Sequence, residues 1–191
     1  MARPSSIALG GYFPAPFTLL PSLASLVSFA RQDDAHILVD PCAGDGFAID
    51  ELRKHWFERA DLDARIYAVE LEKERAKGLR VRLSQADRTF HCDAFQVEIS
   101  GQDGASLLFL NPPYDSDKVH GRLEQRFLER WSASLIPGEG VLLFLVPFYA
   151  LRASAEFLAQ HYQDIRAWRF PQPSFTASPP LQFPPSRRSH G

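Results

Sequence analysis

The residues most able to do chemistry are Asn111-Pro112-Pro113-Tyr114, which directly follow the apolar run Leu107-Leu108-Phe109-Leu110. Two prolines remove backbone donors and hold φ, so a buried strand ending here must leave its sheet in a rigid turn. That turn holds the Asn amide on one side and the Tyr ring on the other. The amide offers an acceptor in the plane of a flat nitrogenous group, and the ring offers a face to stack on it. Taken alone, the tetrapeptide reads equally well as a strand stop made of turn residues.

Two companions give it context. Upstream, Ile37-Leu38-Val39 runs into Asp40-Pro41-Cys42-Ala43-Gly44-Asp45-Gly46, and Ile49, Leu52, Trp56 and Phe57 then repeat at helical spacing. Strand, glycine loop and helix form the opening unit of a doubly wound α/β fold, and the glycines allow a close backbone approach to a ligand. A second apolar strand, Ile66-Tyr67-Ala68-Val69, ends in Glu70, 24 positions after Gly46. An acid placed there can accept hydrogen bonds from both hydroxyls of a ribose.

These residues, in this order, resemble the class I S-adenosylmethionine-dependent methyltransferases, and within that fold the amino-group enzymes typified by adenine-N6 DNA methyltransferases. The resemblance covers roughly residues 10 to 170. It implies a Rossmann-like, doubly wound, mostly parallel sheet sandwiched by helices, with S-adenosyl-L-methionine as cofactor. Asp40, Pro41, Ala43, Gly44 and Gly46 resemble the cofactor loop, and Glu70 the ribose acid. Asp93, Ala94 and Phe95 resemble the segment bordering the cofactor's adenine, and Asn111, Pro112, Pro113 and Tyr114 the catalytic tetrapeptide, whose Asn111 also borders the cofactor. Tyr12-Phe13-Pro14-Ala15-Pro16 resembles the segment that closes over the methionine end of the cofactor through Pro14 and Pro16, with Ala15 where the family commonly carries Thr.

The elements that must position these groups are legible in outline. At 191 residues and 45% hydrophobic content, the chain can bury one sizeable core. We expect a methyltransferase domain over residues 1–170. Helices are predicted around Leu23, Leu26, Val27 and Ala30, around Ala76, Leu79 and Leu83, as a long helix from Val119 to Trp131, and near Ala153 to Gln160. Val141 to Val146 reads as a central parallel strand, and Ile165 to Phe170 as a last one. Residues 171–191 hold six of the fifteen prolines and no apolar run long enough for a strand. They read as a disordered, proline-rich tail, so the final antiparallel strand usual in this fold is expected to be missing, exposing a sheet edge.

Cys42 and Cys92 are expected as reduced thiols, a disulfide being the alternative, and no Cys/His pair stands at metal spacing. No signal peptide or membrane span is apparent, which points to a cytoplasmic enzyme with no membrane partner. Substrate assignment is less sharp than reaction class. Similar tetrapeptides occur in enzymes methylating a glutamine side-chain amide or a guanine amino group in RNA, since each presents a planar nitrogen. DNA adenine is placed first, and a protein or RNA substrate second. A cofactor-binding or nucleic-acid-binding module without catalysis is the reading from another class. A net charge of −2 argues against a DNA-wrapping basic surface, and the length leaves target recognition to a separate subunit.

Overall fold

The computed structural model describes residues 13–29, 36–57, 63–85, 87–99, 104–117 and 121–170. The Tyr12 position, Ala30, Val119 and the expected tail 171–191 lie outside them. The chain divides into two compact units, Met1–Ala153 and Ser154–Gly191, so the sequence-based boundary at 170 falls inside the second.

The first unit is built on five parallel strands: β1 His36–Asp40, β2 Ala64–Glu70, β3 Arg88–His91, β4 Leu107–Leu110 and, later in the chain, Val141–Phe144. Between the last two, Ser116–Asp117 (β5) and Gly121–Arg122 (β6) make a separate antiparallel ribbon, so Val141–Phe144 is β7. The sheet order is β3-β2-β1-β4-β7, with every neighbouring pair parallel. Helices α1 Leu20–Ala24, α2 Phe47–Phe57, α3 Lys73–Arg82, α4 Leu123–Ser132 and α5 Phe148–Ala153 flank it. The chain winds outward from β1 through β2 to β3, then returns to place β4 on the other side of β1. Crevices at the carboxyl ends of strands on either side of such a reversal are where ligands bind in open α/β sheets.

Strand and helix faces explain the core. Leu38, Ile66, Leu107 and Phe109 project from the sheet and meet Ile49, Leu52 and Leu79, all at 0–1% exposure. Burying each side chain of this size contributes roughly 1.5–3 kcal/mol. Trp56 closes one end by donating its Nε1–H to Ala24 O at 2.8 Å, and the Phe29 ring packs against Trp56, Phe57 and His36. Asp87, between α3 and β3, has a fully buried side chain. It accepts from Arg53 Nη1, from the Ile66 N–H of β2, and from the Ser84 N–H and hydroxyl.

Three expectations need correction. The long helix expected after the tetrapeptide begins at Leu123 among the described residues. Gly121, at φ 76°, and Arg122 pair with Asp117 and Ser116 in the ribbon and are not helical. The Val141 strand stops at Phe144 and pairs with β4 alone, so among the described residues it is an edge strand rather than a central one. No antiparallel strand joins the parallel sheet among those residues. In the second unit, Ala155–His161 forms helix α6, whose Phe157 and His161 rings stack 4.1 Å apart. Ile165–Phe170, however, is irregular, with Ile165, Trp168 and Phe170 exposed. Ile, Trp and Phe favour an extended backbone, but a strand also needs a partner for its backbone groups, and no strand pairs with this segment among the described residues.

Candidate active site

At the end of β1 the chain turns through Pro41 to Gly46, and the turn is held by its own backbone. Gly46 N–H donates to Ala43 O, and Ala43 N–H to Val69 O of β2, both at 2.9 Å. Gly44 and Gly46 have φ of 60° and 79°. A Cβ on Gly46 would also lie 2.7 Å from Leu79 Cδ1, so both conformation and space demand glycine there. Asp45 Oδ1 accepts the Phe47 N–H at the start of α2. Arg82 of α3 supports the loop by donating from Nε to Asp45 O at 3.1 Å, with its guanidinium 5.0 Å from the Phe47 ring centre.

Two buried carboxylates stand behind this loop. Glu70 ends β2 and is 5% exposed. Its Oε2 accepts Gly44 N–H at 2.9 Å, and its Oε1 accepts Glu72 N–H at 2.8 Å and Arg75 Nε at 3.0 Å, with Arg75 Nη2 at 2.9 Å. Asp40 is 2% exposed and accepts Cys42 N–H at 2.9 Å. Burial pushes its carboxyl up to about 7, the Cys42 N–H partly offsets this, and the Glu70 charge adds to it. Burial and the same two carboxylates push the Cys42 thiol well above its ordinary range, so it remains a thiol. Both cysteines are free.

β4 delivers Asn111 to the same place, because Leu38 and Val39 of β1 pair with Leu107 and Leu108. The Asn111 amide is held at both ends. Nδ2 donates to Phe13 O at 2.8 Å, and Oδ1 accepts from the Tyr114 hydroxyl at 3.0 Å. The Phe13 and Tyr114 rings are stacked, centres 5.1 Å apart and planes 13° from parallel. Burial first, then the Glu124 carboxylate, pushes the Tyr114 phenol up to about 12, so at neutral pH it is a donor and a stacking surface, not a base. Glu124 is fully buried and bound by Arg122 Nη2, whose guanidinium lies 4.3 Å from the Tyr149 ring centre.

A small cleft, open to solvent, lies between these elements. Pro14, Asp40, Ala43 and Asn111 line it together with Ala15, Cys42, Asp45, Phe47, Ala48 and Phe109. Glu70 and Gly44 are not among its lining residues; their hydrogen bond braces the loop, which Pro41 and Gly46 shape. Pro16 caps the 3-10 turn Phe17–Leu19. Pro112 and Pro113 continue the backbone from Asn111. Asp93, Ala94 and Phe95 follow β3, where Asp93 Oδ1 caps the 3-10 turn by accepting Phe95 N–H. The Phe95 ring packs on Phe127 of α4 beneath the Arg126 guanidinium.

The profile of the uncharacterised methyltransferase family (DUF6094) matches residues 6–178. The chain belongs to that family. No curated protein matches the sequence. Among solved structures, this family member is similar to one described as a class I S-adenosylmethionine-dependent methyltransferase from Listeria monocytogenes, at 17% identity and TM-score 0.65, over 76% of this chain and 51% of that one. It is also similar to a type I restriction-modification methyltransferase subunit from Streptococcus thermophilus (14%, TM-score 0.57, 68% and 33%). A third is a human methyltransferase 10 domain containing protein (13%, TM-score 0.54, 78% and 73%). At these identities the likeness is one of fold. The chain spans about half the length of the first of these and a third of the second. Homologues with this class I fold bind S-adenosylmethionine, and a cleft beside the β1 loop with two buried carboxylates, Asp40 and Glu70, suits a cofactor carrying ribose hydroxyls and positive charge.

Sequence reasoning missed Arg75 and Phe109, and named Phe13 and Asp45 only as members of the closing segment and the cofactor loop. Arg75 had a signal: a cation five residues after the strand-end acid, in the first turn of the following helix, can reach back to it. Phe109 had none, because an aromatic in an apolar run is ordinarily packing.

Proposed function

We propose that the protein transfers the methyl group of S-adenosylmethionine to the exocyclic amino nitrogen of a flat ring, with adenine N6 in DNA as the acceptor. The observation carrying this reading is the fixed orientation of the Asn111 amide, whose NH2 is taken up by Phe13 O and whose Oδ1 faces the Tyr114 hydroxyl at the carboxyl end of β4. An amino group conjugated to a ring is a poor nucleophile because its lone pair is delocalised. Asn111 Oδ1 and Pro112 O, both acceptors, would take its two N–H groups and favour a pyramidal nitrogen with its lone pair turned outward. Tyr114 supplies the stacking face, a contact contributing on the order of 1–3 kcal/mol. Correct placement for in-line transfer contributes roughly 7–11 kcal/mol more.

S-adenosylmethionine would bring an already activated methyl group, so no strongly basic residue is needed. Asp40, Pro41, Ala43, Gly44, Gly46 and Glu70 would hold it, with Pro14, Pro16 and Asn111 at one end and Asp93, Ala94 and Phe95 at the other. For a ribose to reach both Glu70 oxygens, Arg75 has to yield part of its hold. The likeness to a restriction-modification methyltransferase subunit supports a DNA substrate, and a separate target-recognition subunit accords with the net charge of −2. A cytoplasmic location belongs to the same proposal; no helix among the described residues is long and apolar enough to cross a membrane.

The test is incubation of the full chain with tritiated S-adenosylmethionine and, separately, DNA, RNA and glutamine-bearing protein. Label recovered from DNA as N6-methyladenine is expected. Label confined to RNA or protein would overturn the DNA assignment, and no transfer to any of them would overturn the enzymatic reading.

A further inference from the structure

The stacking face proposed for the substrate is covered by the protein itself. Phe13 lies on Tyr114 at 5.1 Å with planes 13° apart, the arrangement a flat substrate ring would adopt. No second ring fits between two rings at that separation. Phe13 is nevertheless 44% exposed, so its ring is not locked into the core and can turn away without opening a cavity. Its carbonyl, by contrast, is bound to Asn111 Nδ2 at 2.8 Å, so the backbone can stay in place and keep the amide oriented while the ring moves.

We propose that Phe13 is a positioning residue that gates the target-ring face of Tyr114 and selects for an aromatic amino substrate. This rests on the reading of Tyr114 as the stacking residue. A purine or pyrimidine that displaces Phe13 exchanges one ring stack for another and recovers what is lost. A glutamine side-chain amide has too little π surface to make that exchange, so the gate disfavours a protein acceptor. The gate also keeps the apolar face of Tyr114 out of water until a ring arrives.

Two measurements on the full chain, with S-adenosylmethionine present, test this. Nitration by tetranitromethane, mapped by mass spectrometry, reads how far Phe13 shields Tyr114, with Tyr67 and Tyr149 as internal controls for folding. Fluorescence of a single-stranded oligodeoxynucleotide carrying one 2-aminopurine reads uptake of a ring. Phe13→Ala should be nitrated at Tyr114 several-fold faster and bind the probe about 2- to 10-fold tighter, the equilibrium factor an aromatic pair of this kind contributes. Phe13→Tyr, which keeps a ring, should match the wild type in both. Weaker probe binding by Phe13→Ala would make Phe13 a wall of the site rather than its gate, and an unchanged nitration rate would remove the shielding; either overturns the proposal. If neither protein takes up the probe, the DNA reading fails by itself. Nitration then decides the gate, a faster rate upholding it and an equal rate overturning it.

Discussion

Glu70 Oε2 accepts the Gly44 N–H at 2.9 Å, joining the acid at the end of β2 to the glycine of the loop that follows β1. The two neighbouring parallel strands thereby share one fixed corner, with Arg75 compensating the buried charge. A substitution at either residue therefore acts on both the loop's shape and the ligand contact it presents.

Glu70→Ala should weaken S-adenosylmethionine binding by about tenfold or more, since hydrogen bonds to a charged group contribute roughly 1.5–3 kcal/mol each. Isothermal calorimetry is the direct check. Unchanged affinity, with only a lower melting temperature, would restrict Glu70 to holding the loop.

Asn111→Ala should lower the rate of transfer by about 10²–10³, the scale seen when one positioned polar group is lost from an active site. Cofactor affinity should fall far less than the rate, because the amide is assigned to the substrate nitrogen and only borders the cofactor. Single-turnover rates beside equilibrium binding separate the two, and retained turnover would reduce the tetrapeptide to a structural turn.

Asp40 makes stability depend on pH. Its carboxyl titrates near 7 in the folded chain and close to its ordinary value when unfolded. Folding thus favours the protonated form, and its contribution is complete below about pH 4 and lost as pH rises through about 7. Asp40→Asn removes this dependence. The variant should gain on the wild type between pH 5 and pH 8 in urea unfolding, whereas parallel profiles would show that Asp40 does not titrate in that window.

Asp87→Ala should destabilise the protein by about 1–3 kcal/mol, because it leaves the N–H groups of Ile66 and Ser84 without their acceptor and the partly exposed Arg53 guanidinium with Asp50 in place of two carboxylates. Chemical denaturation measures this. A loss below about 1 kcal/mol would mean that water replaces the carboxylate at little cost.

The chain itself determined the parts of this protein that depend on local periodicity and short spacing. The apolar runs ending in Asp40, Glu70 and Asn111 specify buried parallel strands, and the Gly44 and Gly46 loop leads into α2 as its residues require. From those features the α/β class and the methyltransferase likeness were legible. What only the tertiary structure decided depends on groups far apart in sequence. Phe13 and Asn111 are 98 positions apart, and only the pairing of β1 with β4 and the return of the N-terminal segment bring them into contact. Likewise, Ile165–Phe170 has the β-branched and aromatic content of a strand but remains irregular. A residue's own sequence carries its preference for an extended backbone, whereas the partner that makes a strand or completes a site is supplied by the rest of the fold.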